Sequence, residues 1–427
     1  MKLYPDYIKR FSLGLFLFFF LFPLVFSNAQ TAREIQERIE EKDSAIEALE
    51  REIAAFQKEI EGLDQQQNSL SKSIKELDLT KKKLNADISV TQNKIDKTNL
   101  KIQNLSSDIN TKEDSIANNQ DAIRLGIRNI SEFEETSLME TILSDNNLSS
   151  FWNNVDNIVT VREKIRENIN KLEQVKSELV DTRKSTIDAK NELTALKAQL
   201  SDQRKIVEQN TAEKNKLLKQ TQNSEANYQK LLKDRIVQRD AFEKELEDYE
   251  AQLQFILDPS KLPKGRVLSW PLAKIYITQM FGKTVASKRL YASGTHNGVD
   301  FRASTGTPVV AMADGKVLGV GDTDKTCVGA SFGKFVFIEY TNGLSSTYGH
   351  LSLIKVKEGQ NIKRGQVVAY SGNTGHSTGP HLHVSLYASQ AVKMASRASV
   401  ACEGRSYRLP VSPVNAYLNV LAYLPPL

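Results

Sequence analysis

The chain has 427 residues, 26% of them charged, with a formal net charge of +5. That length accommodates two or three domains, and so small a basic excess gives no argument for nucleic acid while mildly favouring an acidic surface as a partner. Two cysteines without a Cys-x-x-Cys spacing exclude a thiolate zinc site of the usual kind.

The chain opens with Lys2, Lys9 and Arg10, an apolar run from Phe11 to Phe26 broken by Pro23, and the small-residue site Ser27-Asn28-Ala29. This is the layout of a secretory signal peptide over residues 1–29, with cleavage expected near Ala29–Gln30. An uncleaved anchor is the rival reading, but the run is shorter than the roughly 20 residues a spanning helix needs. The mature chain is therefore expected in the periplasm or the extracellular cell envelope. In that oxidising setting Cys327 and Cys402 pair most simply as a disulfide, the alternative being two unrelated buried thiols.

Residues 31–256 contain no proline and only Gly62 and Gly126, whereas nine prolines and eighteen glycines follow residue 258. The shift marks a domain boundary with a joint at 257–265. Counting every seventh residue from Ile39 to Ile123 meets isoleucine at eleven of thirteen positions, the exceptions being Gln67 and Lys81. A second seam runs through Leu49, Phe56, Leu63, Leu70, Leu77, Leu84 and Leu105. Two such seams specify a coiled coil. The pattern loosens at 134–157 and resumes at Ile158, Ile165, Leu172 and Leu179. Two helices of about 100 residues are expected, each on the order of 150 Å, folded as a hairpin with its tip near 134–157. A continuous parallel homodimer is the alternative. The tip carries Leu138, Met139, Ile142, Leu143, Leu148, Phe151, Trp152 and Val155. A self-packed knob is the simpler reading and a docking site for a partner protein the sharper one.

From residue 266 onward, short β-branched and aromatic runs alternate with glycine turns, as an all-β domain requires. All five histidines fall here. His296 precedes Asp300 by four residues, and His381 and His383 alternate, so that each pair shares one face of a strand. Imidazoles with a carboxylate suit zinc, and three protein ligands leave a fourth position for water. Spacing alone leaves open which histidines would ligate and which would handle protons.

The blocks "HNGVDFRASTGTPVVAMADGKVLGVG", "STYGHL" and "SGNTGHSTGPHLHV", in this order, resemble the lysostaphin/LytM-type zinc metallopeptidases, which act on peptidoglycan cross-links. The resemblance covers about residues 266–387, with a weaker echo at 413–418. It implies that His296, Asp300 and His383 ligate zinc. His350 and His381 match the two non-ligand histidines beside water and the substrate carbonyl, one as general base and one stabilising the oxyanion, in an order left open. Tyr348 has a packing or a site role, and His376 reads as a loop side chain. The polar stretch 388–409 departs from the compact pattern. It carries Cys402, expected to pin it to the loop of Cys327 and to shape one wall of the groove.

The expected fold is thus a long N-terminal coiled-coil helical hairpin followed by an all-β LytM-type peptidase domain over 266–427. The expected function is a secreted zinc endopeptidase cleaving peptide cross-links of bacterial peptidoglycan, regulated through its coiled coil during cell-wall remodelling or division. The resemblance extends to the murein hydrolase activators of cell division, which makes a non-catalytic activator of a cell-wall amidase the alternative. It also implies a membrane division complex or transporter as partner of the coiled-coil tip. An activator need not keep His296, Asp300, His350, His381 and His383, and this chain keeps all five. A structural spacer, the third class, would have no use for the zinc site.

Overall fold

The computed structural model describes residues 32–64, 68–135, 148–253, 260, 262–283 and 294–427. The expected signal peptide, most of the expected hairpin tip and part of the 257–265 joint lie outside the described residues. Among those described, no helix is long and apolar enough to cross a membrane.

Four long helices come first: α1 (Ala32–Asp64), α2 (Leu70–Glu135), α3 (Leu148–Thr221) and α4 (Glu225–Gln252). The pairing of α2 with α3 is antiparallel, as Asp78–Lys214 at one end and Glu113–Arg183 at the other require. Their seam residues Ile88 and Ile95 pack on Leu193, Leu196 and Leu200. The expected first helix of about 100 residues is corrected, because the chain reverses before Leu70 and α1 runs back along α2. Lys97 meets Asp43, and Lys75 meets Glu59. The physical reason is a cap that the heptad count passes over. Ser69 Oγ accepts the Lys72 N–H at 3.1 Å, which satisfies a donor that no preceding turn can. A second break separates α3 from α4. Gln222 and Asn223 sit in the left-handed region, and Ser224 caps α4.

The C-terminal domain is antiparallel throughout. Its main sheet runs β1 (Ile277–Gln279), β2 (Val299–Arg302), β10 (His381–Ala388), β6 (Leu344–Gly349), β5 (Lys334–Tyr340), β4 (Gly315–Asp322), β8 (Asn361–Ile362), with β13 (Tyr417–Leu418) also paired to β10. A three-stranded sheet of β3 (Pro308–Val310), β9 (Val367–Ser371) and β7 (Leu351–Ile354) packs against it. The polar stretch 388–409 is not featureless: it holds most of a ribbon, β11 (Lys393–Ala398) with β12 (Ser406–Val411). Cys402, in the turn of that ribbon, is joined to Cys327, with their Cα atoms 5.7 Å apart.

The core has two main parts. One lies between the sheets around Val299, Phe301, Val336, Tyr348 and Val384. The other lies on the opposite face of the main sheet, where Phe335, Phe337, Tyr387, Tyr407 and Leu409 meet Phe242 and Leu246 of α4. Helix α4 is therefore part of the β domain's packing. At the other side of the domain, Leu84 and Ile206 pack on Tyr370. Gly306, at φ +89°, passes under Leu84, whose Cδ2 lies 2.7 Å from where a Cβ would stand. Buried Asp202 on α3 accepts from Lys355 Nζ and from Tyr370 Oη (3.1 Å) beside this contact.

Candidate metal centre

Strand pairing assembles the site. On β10, His383 is in register with Asp300 of β2 on one side and with Gly349 of β6 on the other. The alternation of β10 turns His381 and His383 to the same face and sends Leu382 and Val384 into the core. His296 reaches this face differently from the expected shared strand: it precedes β2, held by a two-way backbone bridge to Gly282. Gly298 makes the approach possible, since a Cβ there would fall 2.5 Å from the His383 ring.

Three atoms converge. His383 Nδ1 lies 2.9 Å from Asp300 Oδ1, His296 Nε2 lies 3.3 Å from the same oxygen, and the two ring nitrogens are 3.1 Å apart. All three side chains are buried, and their ligand atoms could hold one metal ion. The His296 Nδ1–H is committed to the Met280 carbonyl at 3.0 Å, which leaves Nε2 without a proton in the neutral ring. On His383, Nε2 faces Ser385 Oγ at 2.8 Å. Burial pulls the His383 pKa below the ordinary imidazole value against the attraction of Asp300. For Asp300 burial also works against charge, but the facing imidazoles of His296 and His383 outweigh it and hold the carboxyl well below the usual range. The Asp300 oxygen and the ring nitrogens of His296 and His383 thus converge in a buried setting, with the other ring nitrogen of His296 committed to Met280 O. Such an arrangement calls for a cation, and two nitrogens with one carboxylate fit zinc.

Two further histidines flank the triangle. His350 follows β6 with φ +59°, an uncommon conformation for a non-glycine residue, fixed by its N–H to Phe332 O at 2.7 Å. Its Nδ1–H is given to Thr374 O at 2.8 Å, and burial, then the nearby His381 and His383, keep it well below the ordinary pKa and neutral. His381 gives its Nδ1–H to Gly379 O at 2.8 Å, and its Nε2 stands 3.6 Å from Asp300 Oδ1. The His350 and His381 ring centroids are 4.6 Å apart. His350 therefore carries its proton on Nδ1 and presents Nε2 as an acceptor, and His381 likewise carries a proton on Nδ1.

Tyr348 is not at the site. It is in register with Val384 and fully buried, and its hydroxyl accepts the Met312 N–H at 3.1 Å while bonding Tyr340 Oη at 2.7 Å. His376 lines the same cleft as His296, His350 and His383, a space of about 710 Å³. Leu409 and Pro410 of β12 form part of its wall, as do Asp240, Glu243, Glu247 and Glu250 of α4. The sequence reading missed these α4 residues, Gly298 and Ser385. Gly298 stands in the quoted "HNGVD" block, but nothing local in that block shows that His383 needs the space.

A β domain with a buried His-Asp-His triangle and two flanking histidines has the layout of a metallopeptidase site. Residues 294–394 match the model of Peptidase family M23, and the C-terminal domain is an M23 domain. Over 89 residues the chain is 47% identical to an uncharacterized metalloprotease of Haemophilus influenzae, covering 21% of this chain and 18% of that protein. Over 91 residues it is 44% identical to the peptidoglycan DD-endopeptidase ShyA of Vibrio cholerae, covering 21% of this chain and 20% of the relative. Among solved structures, the catalytic domain of a prophage-encoded M23 protein from Enterococcus faecalis is 33% identical, with a TM-score of 0.25, over 29% of this chain and 88% of that one. The chain thus spans about a fifth of the length of these two curated relatives.

Proposed function

We propose that this chain is an exported zinc endopeptidase that hydrolyses peptide cross-links in bacterial peptidoglycan. The observation that carries the reading is the convergence of His296 Nε2, Asp300 Oδ1 and His383 Nδ1 within 3.3 Å of one another, with His350 and His381 beside them. Zinc held there would supply a Lewis acid that acidifies water and polarises a peptide carbonyl. His350, neutral with Nε2 free to accept, is suited to take a proton from water at that position, and His381 stands beside it. Once protonated, either would donate to the developing oxyanion. The non-catalytic activator has no need of this ligand set. Export is supported by the leader-like N-terminus and by the Cys327–Cys402 disulfide, which belongs to an oxidising compartment.

The helices would regulate the site. Helix α4 lines the same cleft as three of the site histidines, so a peptide entering from that side must displace it. A membrane division partner acting on the far end of the α2–α3 pair would be one way to do so. The test of the reading is digestion of purified peptidoglycan by zinc-loaded protein. Wild type should release muropeptides, and His383→Ala should release none. A folded, zinc-loaded wild type that leaves peptidoglycan intact, with α4 released or deleted, would refute it.

A further inference from the structure

Beside the metal centre, a carboxylate is already bound, and it comes from the chain itself. Glu243 Oε1 on α4 accepts the Ser331 N–H at 2.5 Å and lies 3.7 Å from His376 Nδ1. The Ser331 N–H and the His376 ring are built into one unit. The His376 N–H donates to Ser331 O at 2.8 Å. Asp324 fastens both loops by accepting from Gly329 N at 2.7 Å and Gly375 N at 3.0 Å. Ser331, at φ +50°, holds the left-handed conformation within this framework. The notch adjoins the reaction site, because the next residue, Phe332, accepts the His350 N–H and sets its ring 5.9 Å from that of His383.

The acidic part of the cleft lining is confined to α4. Its carboxylates (Asp240, Glu243, Glu247 and Glu250) all come from that helix, which also supplies Arg239, while the β domain contributes Lys283, the histidines and neutral groups. With α4 displaced, the β face would be left with a main-chain N–H and an imidazole facing the place of a carboxylate, and no acidic side chain among the described residues of that lining.

From this geometry we infer that the Ser331 N–H and His376 form a subsite for a substrate carboxylate, which Glu243 occupies while α4 is docked. The ligand class is an acidic peptide bearing a free carboxylate near the scissile bond, as a peptidoglycan stem peptide does. The inference rests on the peptidase reading for that identity, but the notch itself can be tested without catalysis.

The first arm uses metal-free full-length protein labelled with 15N-serine and titrated with acetate. In Glu243→Ala the acetate replaces the deleted carboxylate, so the Ser331 amide signal should shift saturably. It should stay unmoved in wild type and in Glu243→Ala/His376→Ala. An unmoved Ser331 signal in Glu243→Ala would overturn the subsite. The second arm compares an acidic stem-type peptide with its amidated twin on zinc-loaded Glu243→Ala. A charge-assisted pair of this kind should favour the acidic peptide by about tenfold in affinity, with most of the preference lost when His376→Ala is added. Equal affinities, or a preference that survives His376→Ala, would overturn the subsite. Selective binding without any cleavage by protein whose α4 is deleted would instead sink the peptidase reading and leave the notch standing.

Discussion

His296, His350 and His381 share one device: each gives its Nδ1–H to a main-chain carbonyl, of Met280, Thr374 and Gly379 respectively. The backbone thereby sets the tautomer of three imidazoles at once, and a metal or a substrate meets Nε2 in each case. Tyr348 shows the opposite use of the same neighbourhood. Its hydroxyl satisfies the buried Met312 N–H, so Tyr348→Phe should cost about 1–3 kcal/mol of stability. Chemical denaturation would read that loss, while zinc affinity should be unchanged. A Tyr348→Phe protein that is fully stable but fails to bind zinc would place the residue at the site after all. The histidines were legible because His381 and His383 alternate on a strand and because none of the five lies among the helices. Gly298 was not, since its requirement comes from His383, 85 residues away in sequence and visible only once β2 pairs with β10.

Among the elements, α4 is the least readable from sequence. Phe242, Leu246 and Tyr249 form a helical stripe, but what the stripe covers is the β domain, which no local pattern announces. The docking has a titratable latch. Glu250 accepts from Tyr417 Oη at 2.8 Å and from Ser412 N at 3.3 Å, and burial, against those two bonds, raises its pKa from 4.5 to about 7. The titratable groups facing it are Tyr417 and Tyr387 on the β side and Glu243 and Glu247 on its own helix. A raised carboxyl pKa means that the docked state holds a proton that the released state gives up. Its contribution to docking is complete below about pH 4.5 and is lost as pH rises through about 7. Amide exchange across α4, corrected for intrinsic rates, should therefore be slower at pH 5.5 than at pH 8, and Glu250→Gln should flatten the difference. Faster corrected exchange at pH 5.5 would contradict the latch. The heptad seams mark the long helices but not the breaks before Leu70 and Glu225. Each depends on a single serine cap, which costs the seam nothing at the level of hydrophobic period.

Across the whole molecule, the helices grip the β domain through apolar contacts at the Leu84, Ile206 and Tyr370 cluster, with its Asp202–Lys355 pair, and through α4 along the cleft. Polar contacts such as Glu61–Arg302 add to these. If this grip restrains the enzyme, residues 262–427 should hydrolyse peptidoglycan faster than the full chain. Circular dichroism must accompany the comparison, because the fragment gives up Phe242 and Leu246 from its second core. Equal rates from two folded proteins would remove the restraint from the account. The central claim, however, is that one metal ion is held by Asp300 and two specific histidines of the five. Zinc stoichiometry on full-length protein tests it most directly, with His383→Ala and His381→Ala as the paired variants. One zinc per chain in wild type and in His381→Ala, and none in His383→Ala, is the predicted result. A folded wild type that stays zinc-free in excess metal, or a His383→Ala protein that still binds one zinc tightly, would contradict it.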